Sequence, residues 1–303
     1  MMRKIKLRLA IFIPVILVLV AACDMATQSP SAPPPEAAQA TAGNDPGAGE
    51  ETETSSPNNA DADADADERP VVAETLPYAE VGEQLVYGYF AFPADMVGPL
   101  PGMLVIHERW GLDDGVRAQA ERVAAQGYVV LAVDLFAGKT ATDVAGARPL
   151  MVEVLENPEN AEENIRQAYQ FLIDSSESPT IGALGWSFGG GWALNTALLF
   201  PDELDAAVIY YGQVSNDRER LGPLNVPILG LFGANDRGVT VATVEEFETA
   251  LEALDKEFEI QVYADVGHAF ADPNAPTYNA DVADQAWSTT VDFLNRHLLA
   301  DDE

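Results

Sequence analysis

The chain predicts an α/β fold: a mostly parallel sheet with helices on both faces. Three observations carry this. Short apolar, β-branched runs alternate with helix-period stretches from residue 85 onward. Residues 71–303 have about the length of one α/β domain. No internal repeat interrupts the alternation, and no cysteine lies in this region, so the domain must be stable without disulfides.

In order, residues 85–92 and 103–107 read as strands from their Val, Ile, Tyr and Phe content. Residues 114–126 show helical periodicity, and 129–134 form another apolar run. A helix over 161–173 precedes the strand at 181–184, and 190–199 reads as the next helix. Strands follow at 206–211 and 226–232, then a helix at 244–254 and a strand at 258–263. Residues 281–299 close the domain as a long amphipathic helix.

Two segments precede the domain. Residues 1–22 read as a secretion signal: Arg3, Lys4, Lys6 and Arg8 are basic, residues 9–20 are nearly all apolar, and Val20-Ala21-Ala22 are small. The apolar run is short of the ~20 residues that a membrane span requires. The only cysteine, Cys23, follows at once, and Leu19-Val20-Ala21-Ala22-Cys23 resembles a bacterial lipobox. That resemblance implies a lipidated Cys23 at the mature N-terminus. It also implies an exported protein, lipid-anchored to the cell membrane and facing its extracytoplasmic side. Residues 23–70 carry the anchor and a stretch rich in Ala, Pro, Ser, Thr and acids, too poor in large apolar residues to offset ordering entropy. It reads as a disordered tether. The alternating acids of residues 60–67 lack the turn glycine and closing glutamate of a calcium loop.

The full chain has 49 acidic and 16 basic residues, a formal charge of −33. Such a surface repels phosphate backbones, so nucleic acid is excluded as a partner and polyanionic substrates are disfavoured.

The chemistry concentrates at Gly185-Trp186-Ser187-Phe188-Gly189, between an apolar run and a helix-like stretch. This is the layout of a nucleophile elbow, a sharp strand-to-helix turn that presents a serine hydroxyl. A serine needs a base to take its proton. Three histidines are available: His107, His268 and His297. His297 falls on the terminal helix and reads as solvated, and His107 precedes the serine. His268 follows the last strand on a loop and is the expected base. Asp236, at the end of the 226–232 strand and its turn, is the expected orienting acid; Asp265 is its rival. Serine, acid, histidine is the chain order of α/β-hydrolases.

Several stretches together resemble the dienelactone hydrolase family. They are Leu104-Val105-Ile106-His107-Glu108-Arg109-Trp110-Gly111-Leu112, the run from Gly127 to Phe136, the elbow, Phe232-Gly233-Ala234-Asn235-Asp236 and Gly267-His268-Ala269-Phe270. The resemblance implies the α/β-hydrolase fold and hydrolysis of small esters or lactones by Ser187, Asp236 and His268, without metal or cofactor. It also implies an oxyanion hole formed by the backbone N–H groups of Phe188 and Arg109. Members known for dienelactone cleavage carry a cysteine where Ser187 stands, and there the glutamate matching Glu108 helps form the thiolate. A serine cannot be pre-ionised that way, so Glu108 is expected only to organise the site. Those enzymes also hold a substrate carboxylate with arginines, one shortly after the histidine; Asp272 occupies that position here. Neutral or cationic esters and lactones are therefore expected as substrates. Arg109, Arg148 and Arg237 are the cations that could substitute. Trp110 and Trp186 flank the site as pocket-wall or core residues, while Tyr210 and Tyr211 read as buried strand residues. A binding protein that kept the fold and lost turnover is the competing reading.

Overall fold

A computed structural model describes residues 69–299; the expected signal, Cys23 and nearly all of the expected tether lie outside the described residues. The elements are β1 (Val71–Val81), β2 (Gln84–Pro93), β3 (Gly102–Ile106), α1 (Asp114–Ala125), β4 (Val129–Val133), α2 (Val144–Glu156), α3 (Pro158–Ser176) and β5 (Ile181–Trp186). They continue with α4 (Phe188–Leu199), β6 (Ala206–Tyr210), α5 (Arg218–Leu221), β7 (Ile228–Gly233), α6 (Val241–Ala253), β8 (Phe258–Tyr263) and α7 (Ala280–Leu298).

The eight strands form one sheet in the order β1-β2-β4-β3-β5-β6-β7-β8. The β1–β2 and β2–β4 pairs are antiparallel, and every later pair is parallel. Every residue of β3, β4, β5, β6 and β7 is buried, as befits parallel strands covered on both faces. Successive side chains of a strand point to opposite faces. Leu104 and Ile106 of β3 therefore join one core with Ile165, Leu172 and Phe247, while Met103 and Val105 join the other with Val123, Phe293 and Leu298. Burial of each such side chain contributes roughly 1.5–3 kcal/mol. Helices α3, α4 and α6 cover the first face, α1 and α7 the second.

Every strand and helix read from the sequence is present, with ends moved by a few residues. Two long elements were not legible. β1 pairs with β2 through an antiparallel register interrupted near Pro77, and its alternating exposure marks it as an edge strand. α2 contains Gly146 and Pro149, both poor helix formers, but Asp143 caps its start by accepting from the Gly146 N–H at 2.8 Å. α4 begins at Phe188, two residues before its expected start, because packing overrides the weak propensity of Gly189-Gly190-Gly191.

In this topology, the carboxyl ends of β3, β5, β7 and β8 lie along one edge of the sheet. The segments that leave them carry Glu108 and Arg109, Ser187, Asp236 and His268. Ligand crevices of open α/β sheets form at this edge.

Candidate active site

Ser187 sits between β5 and α4 with φ 52° and ψ −113°, a left-handed conformation costly for a non-glycine residue. Its surroundings hold it there. The Ser187 N–H donates to the Tyr210 carbonyl at 2.9 Å, and its own carbonyl accepts from the Gly191 N–H at 3.2 Å. Two glycines make the turn possible by close approach. A Cβ on Gly185 would stand 2.1 Å from the Gly189 carbonyl oxygen, and one on Gly189 would stand 2.1 Å from the Ile106 oxygen. Gly189 thus lets the start of α4 lie directly on the end of β3.

His268 reaches this serine from the loop after β8. Its Nε2 is 2.8 Å from Ser187 Oγ, and its Nδ1 is 2.7 Å from Asp236 Oδ2. The loop is anchored from below by the fully buried Phe270, which packs on the rings of Tyr210, Tyr211 and Tyr263. From outside, the Thr277 hydroxyl donates to the His268 carbonyl at 2.5 Å. Asp236 follows β7 in a turn where its Oδ1 accepts from the N–H groups of Gly238 at 2.7 Å and Val239 at 3.0 Å. Burial alone raises its pKa. The bond from His268 and the two backbone donors outweigh that and hold the carboxyl below its ordinary value. An ionised Asp236 places the imidazole proton on Nδ1, which leaves Nε2 to accept from the serine hydroxyl. Asp265, the rival acid, is exposed on the turn before the histidine and makes no bond to it.

Two cavities meet at this chain. The smaller, about 460 Å³, is bordered by Ser187, Phe188 and His268 and walled by Met151, Leu155 and Trp192. The larger, about 770 Å³, has Glu108, Trp110, Trp186 and Asp272 in its wall. Arg109, Tyr211 and His268 border both. Phe188 is the first residue of α4, where a backbone N–H has no intrahelical acceptor. Among the described residues neither its N–H nor that of Arg109 finds an acceptor.

Glu108 is half-buried beside this junction. Burial and the Asp272 carboxylate push its pKa up to about 7, against the opposing pull of His268, Arg109 and the Tyr211 hydroxyl. That hydroxyl donates to Glu108 Oε1 at 3.3 Å, and its ring meets His268 edge-on at 5.2 Å. Tyr211 therefore corrects the sequence reading. It lies one residue past β6 at φ 37°, buried, yet it faces the site from between the cavities. The motif pattern gave no signal for it, because the doublet looked like the end of an apolar strand. Tyr210 behaves as expected, bonding Thr290 at 2.7 Å inside the core. Trp186 is both core and cavity wall, and the Arg109 guanidinium lies over Trp110, 5.4 Å from the ring centroid.

A profile of the Dienelactone hydrolase family matches residues 86–298. The chain belongs to the dienelactone hydrolase family. It is a hydrolase of esters or lactones. A Methylorubrum extorquens protein, provisionally named a carboxymethylenebutenolidase, is 29% identical over 71% of this chain and 78% of its own length. The Aquifex pyrophilus protein usf is 30% identical over 70% of this chain and 94% of its own length. Among solved structures, a dienelactone hydrolase-like promiscuous phosphotriesterase from metagenomic libraries shares the fold. Its TM-score is 0.69 at 22% identity, covering 75% of this chain and 98% of that one.

Within this dienelactone hydrolase frame, the remaining candidates fall outside the junction. Arg148 and Arg237 border neither cavity. Arg220, which no motif marked, borders the smaller one and donates to Asn195 Oδ1 at 2.5 Å. His297 is not freely solvated: it packs on Phe293 with ring centroids 4.5 Å apart and lies 3.9 Å from Glu257. His107 is fully buried and turned away from the serine. Among the described residues no group of three or more His, Cys, Asp or Glu could hold a metal ion.

Proposed function

We propose that the protein hydrolyses small esters or lactones through a serine acyl-enzyme. The observation that carries this is the unbroken chain Ser187 Oγ–His268 Nε2, His268 Nδ1–Asp236 Oδ2, at 2.8 and 2.7 Å. His268 takes the serine proton as Ser187 Oγ bonds to the carbonyl carbon, and the backbone N–H groups of Phe188 and Arg109 receive the developing oxyanion. His268 then delivers that proton to the leaving oxygen. A water, deprotonated by the same histidine, attacks the acyl carbon, and release of the acid restores Ser187. Glu108 organises the site with Tyr211; it is not in the proton path.

The two cavities suggest how an ester divides. Ser187 borders only the smaller one, so the acyl group bonded to Oγ belongs among Met151, Leu155 and Trp192. The leaving alcohol must stay beside His268, which opens into the larger cavity with Trp110, Trp186 and Asp272. Asp272 there repels a carboxylate, which favours neutral or cationic leaving groups over an anionic lactone.

We further propose that Cys23 carries a lipid anchor and that the acidic segment before the domain holds it away from the outer face of the cell membrane. Metabolic labelling of the expressed chain with a palmitate analogue tests this; label that persists in a Cys23→Ala variant overturns it.

A fluorophosphonate probe followed by peptide mass analysis tests the nucleophile. The expected adduct is on Ser187, absent from Ser187→Ala. Labelling of another residue, or ester turnover with no adduct on Ser187, overturns Ser187 as the nucleophile.

A further inference from the structure

His107 is a buried polar group that the proposed mechanism does not use. It follows β3 directly with no exposed surface, its ring clustered with those of Phe136, at a centroid distance of 4.5 Å, and Phe188, near-parallel at 6.3 Å and 20°. Both nitrogens are engaged. The Leu135 backbone N–H donates to Nε2 at 3.0 Å, so Nε2 bears no hydrogen. Nδ1 lies 2.6 Å from the Glu108 carbonyl oxygen, which can only accept, so Nδ1 carries the proton. Asp134 does not share it. Its Oδ1 is 3.8 Å from Nε2, and its carboxylate instead receives the N–H groups of Phe136 at 2.8 Å and Gly138 at 2.5 Å.

The bonded carbonyl and the Arg109 N–H belong to one peptide unit. In a trans peptide the C=O and N–H are antiparallel and coplanar. Fixing the Glu108 oxygen on His107 Nδ1 therefore fixes the direction of the Arg109 N–H, away from the imidazole. Arg109 borders the same cavity as Ser187 and Phe188. Among the described residues the only other donor to that oxygen is the Gly111 N–H, at a longer 3.3 Å. The ring also packs on Phe188, the residue that supplies the second oxyanion donor.

We infer that His107 is a positioning residue for the oxyanion hole: it clamps the Glu108–Arg109 peptide through Nδ1 and braces Phe188 through its ring. The inference rests on the oxyanion reading above, and it assigns a histidine that touches no reacting atom.

Two conservative variants separate positioning from mere packing. The side-chain amide nitrogen of an asparagine falls near imidazole Nδ1, whereas the amide of a glutamine reaches the position of Nε2. His107→Asn therefore keeps the clamp on Glu108 and loses the Leu135 bond. His107→Gln does the reverse. With a short-chain nitrophenyl ester, His107→Asn should retain kcat within about threefold. His107→Gln should lose about 100-fold in kcat with KM little changed, the size of effect expected when one oxyanion donor is lost. Equal losses in both variants, or a better His107→Gln, overturn the inference. The full-length wild-type chain offers a reading that needs no variant: ¹⁵N NMR must show His107 as the Nδ1–H tautomer, and an Nε2–H tautomer ends the proposal. Fluorophosphonate labelling of Ser187 in the same samples keeps a failure of the nucleophile distinct from a failure of the clamp.

Discussion

Two histidine–aspartate neighbourhoods lie at the carboxyl edge of the sheet, and they have opposite characters. His268 contacts Asp236 at 2.7 Å, is partly exposed, and has an Nε2 that meets only a hydroxyl. His107 stands 3.8 Å from Asp134, is fully buried, and has its Nε2 occupied by the Leu135 N–H. A histidine beside a carboxylate is thus not by itself a base. What matters is whether the far nitrogen is free to take a proton from something that reacts. Burial also lowers the pKa of His107, against the opposing pull of the Glu108 carbonyl and the nearby acids. Protonation there would place hydrogen against hydrogen at Leu135.

The largest expected effect breaks the reactive pair. Ser187→Ala or His268→Ala should reduce ester turnover by at least about 10⁴-fold with the fold unchanged. Full turnover in either, measured on the same ester by absorbance, removes the proton path from Ser187 to Nε2. Asp236→Asn is expected to lose about 10²–10⁴-fold, because an amide facing Nδ1 favours the wrong tautomer. A loss under tenfold would mean that the turn, and not the charge, positions His268.

Stability against pH sharpens the contrast. For Asp236 and His107 the folded pKa lies below the unfolded value, ~3.9 for Asp and ~6.5 for His. Their contributions are present above those values and lost as pH falls. Glu108 has the opposite sign. Its folded value of about 7 exceeds ~4.3 unfolded, so its contribution is present at low pH and lost as pH rises through 7. Glu108→Gln should therefore stabilise the protein by on the order of 2 kcal/mol at pH 8 and change little at pH 4. Denaturant titration at the two pH values checks this, and equal shifts at both would remove the charge explanation. The smallest effect concerns selectivity. Asp272→Asn should improve kcat/KM for an ester with an anionic leaving group several-fold relative to its neutral isostere. An unchanged ratio would mean that Asp272 does not sense the leaving group.

Much of this was legible in the sequence, for physical reasons. Parallel strands buried on both faces leave continuous apolar runs, so β3 to β7 stood out. The elbow glycines stood out because no side chain fits where Gly185 and Gly189 meet neighbouring backbone. Ser187, Asp236 and His268 follow the strand ends in a recognisable order. β1 and α2 did not stand out: one is an edge strand broken at Pro77, the other carries Gly146 and Pro149 and is held by its cap and packing. Tyr211 was read as a strand residue because its approach to Glu108 depends on the turn after β6. His107 could be set aside as a base by chain order, but its hold on the Glu108 carbonyl depends on ring orientation, which a sequence does not display.

The most direct measurement is a stopped-flow assay of a short-chain p-nitrophenyl ester with a known concentration of the full-length chain. An acyl-enzyme that deacylates slowly predicts an initial nitrophenolate burst equal to the active sites, with the acyl mass added to the peptide containing Ser187. Steady turnover with no acyl-Ser187 trapped on acid quench, even at early times, would contradict covalent catalysis by this serine.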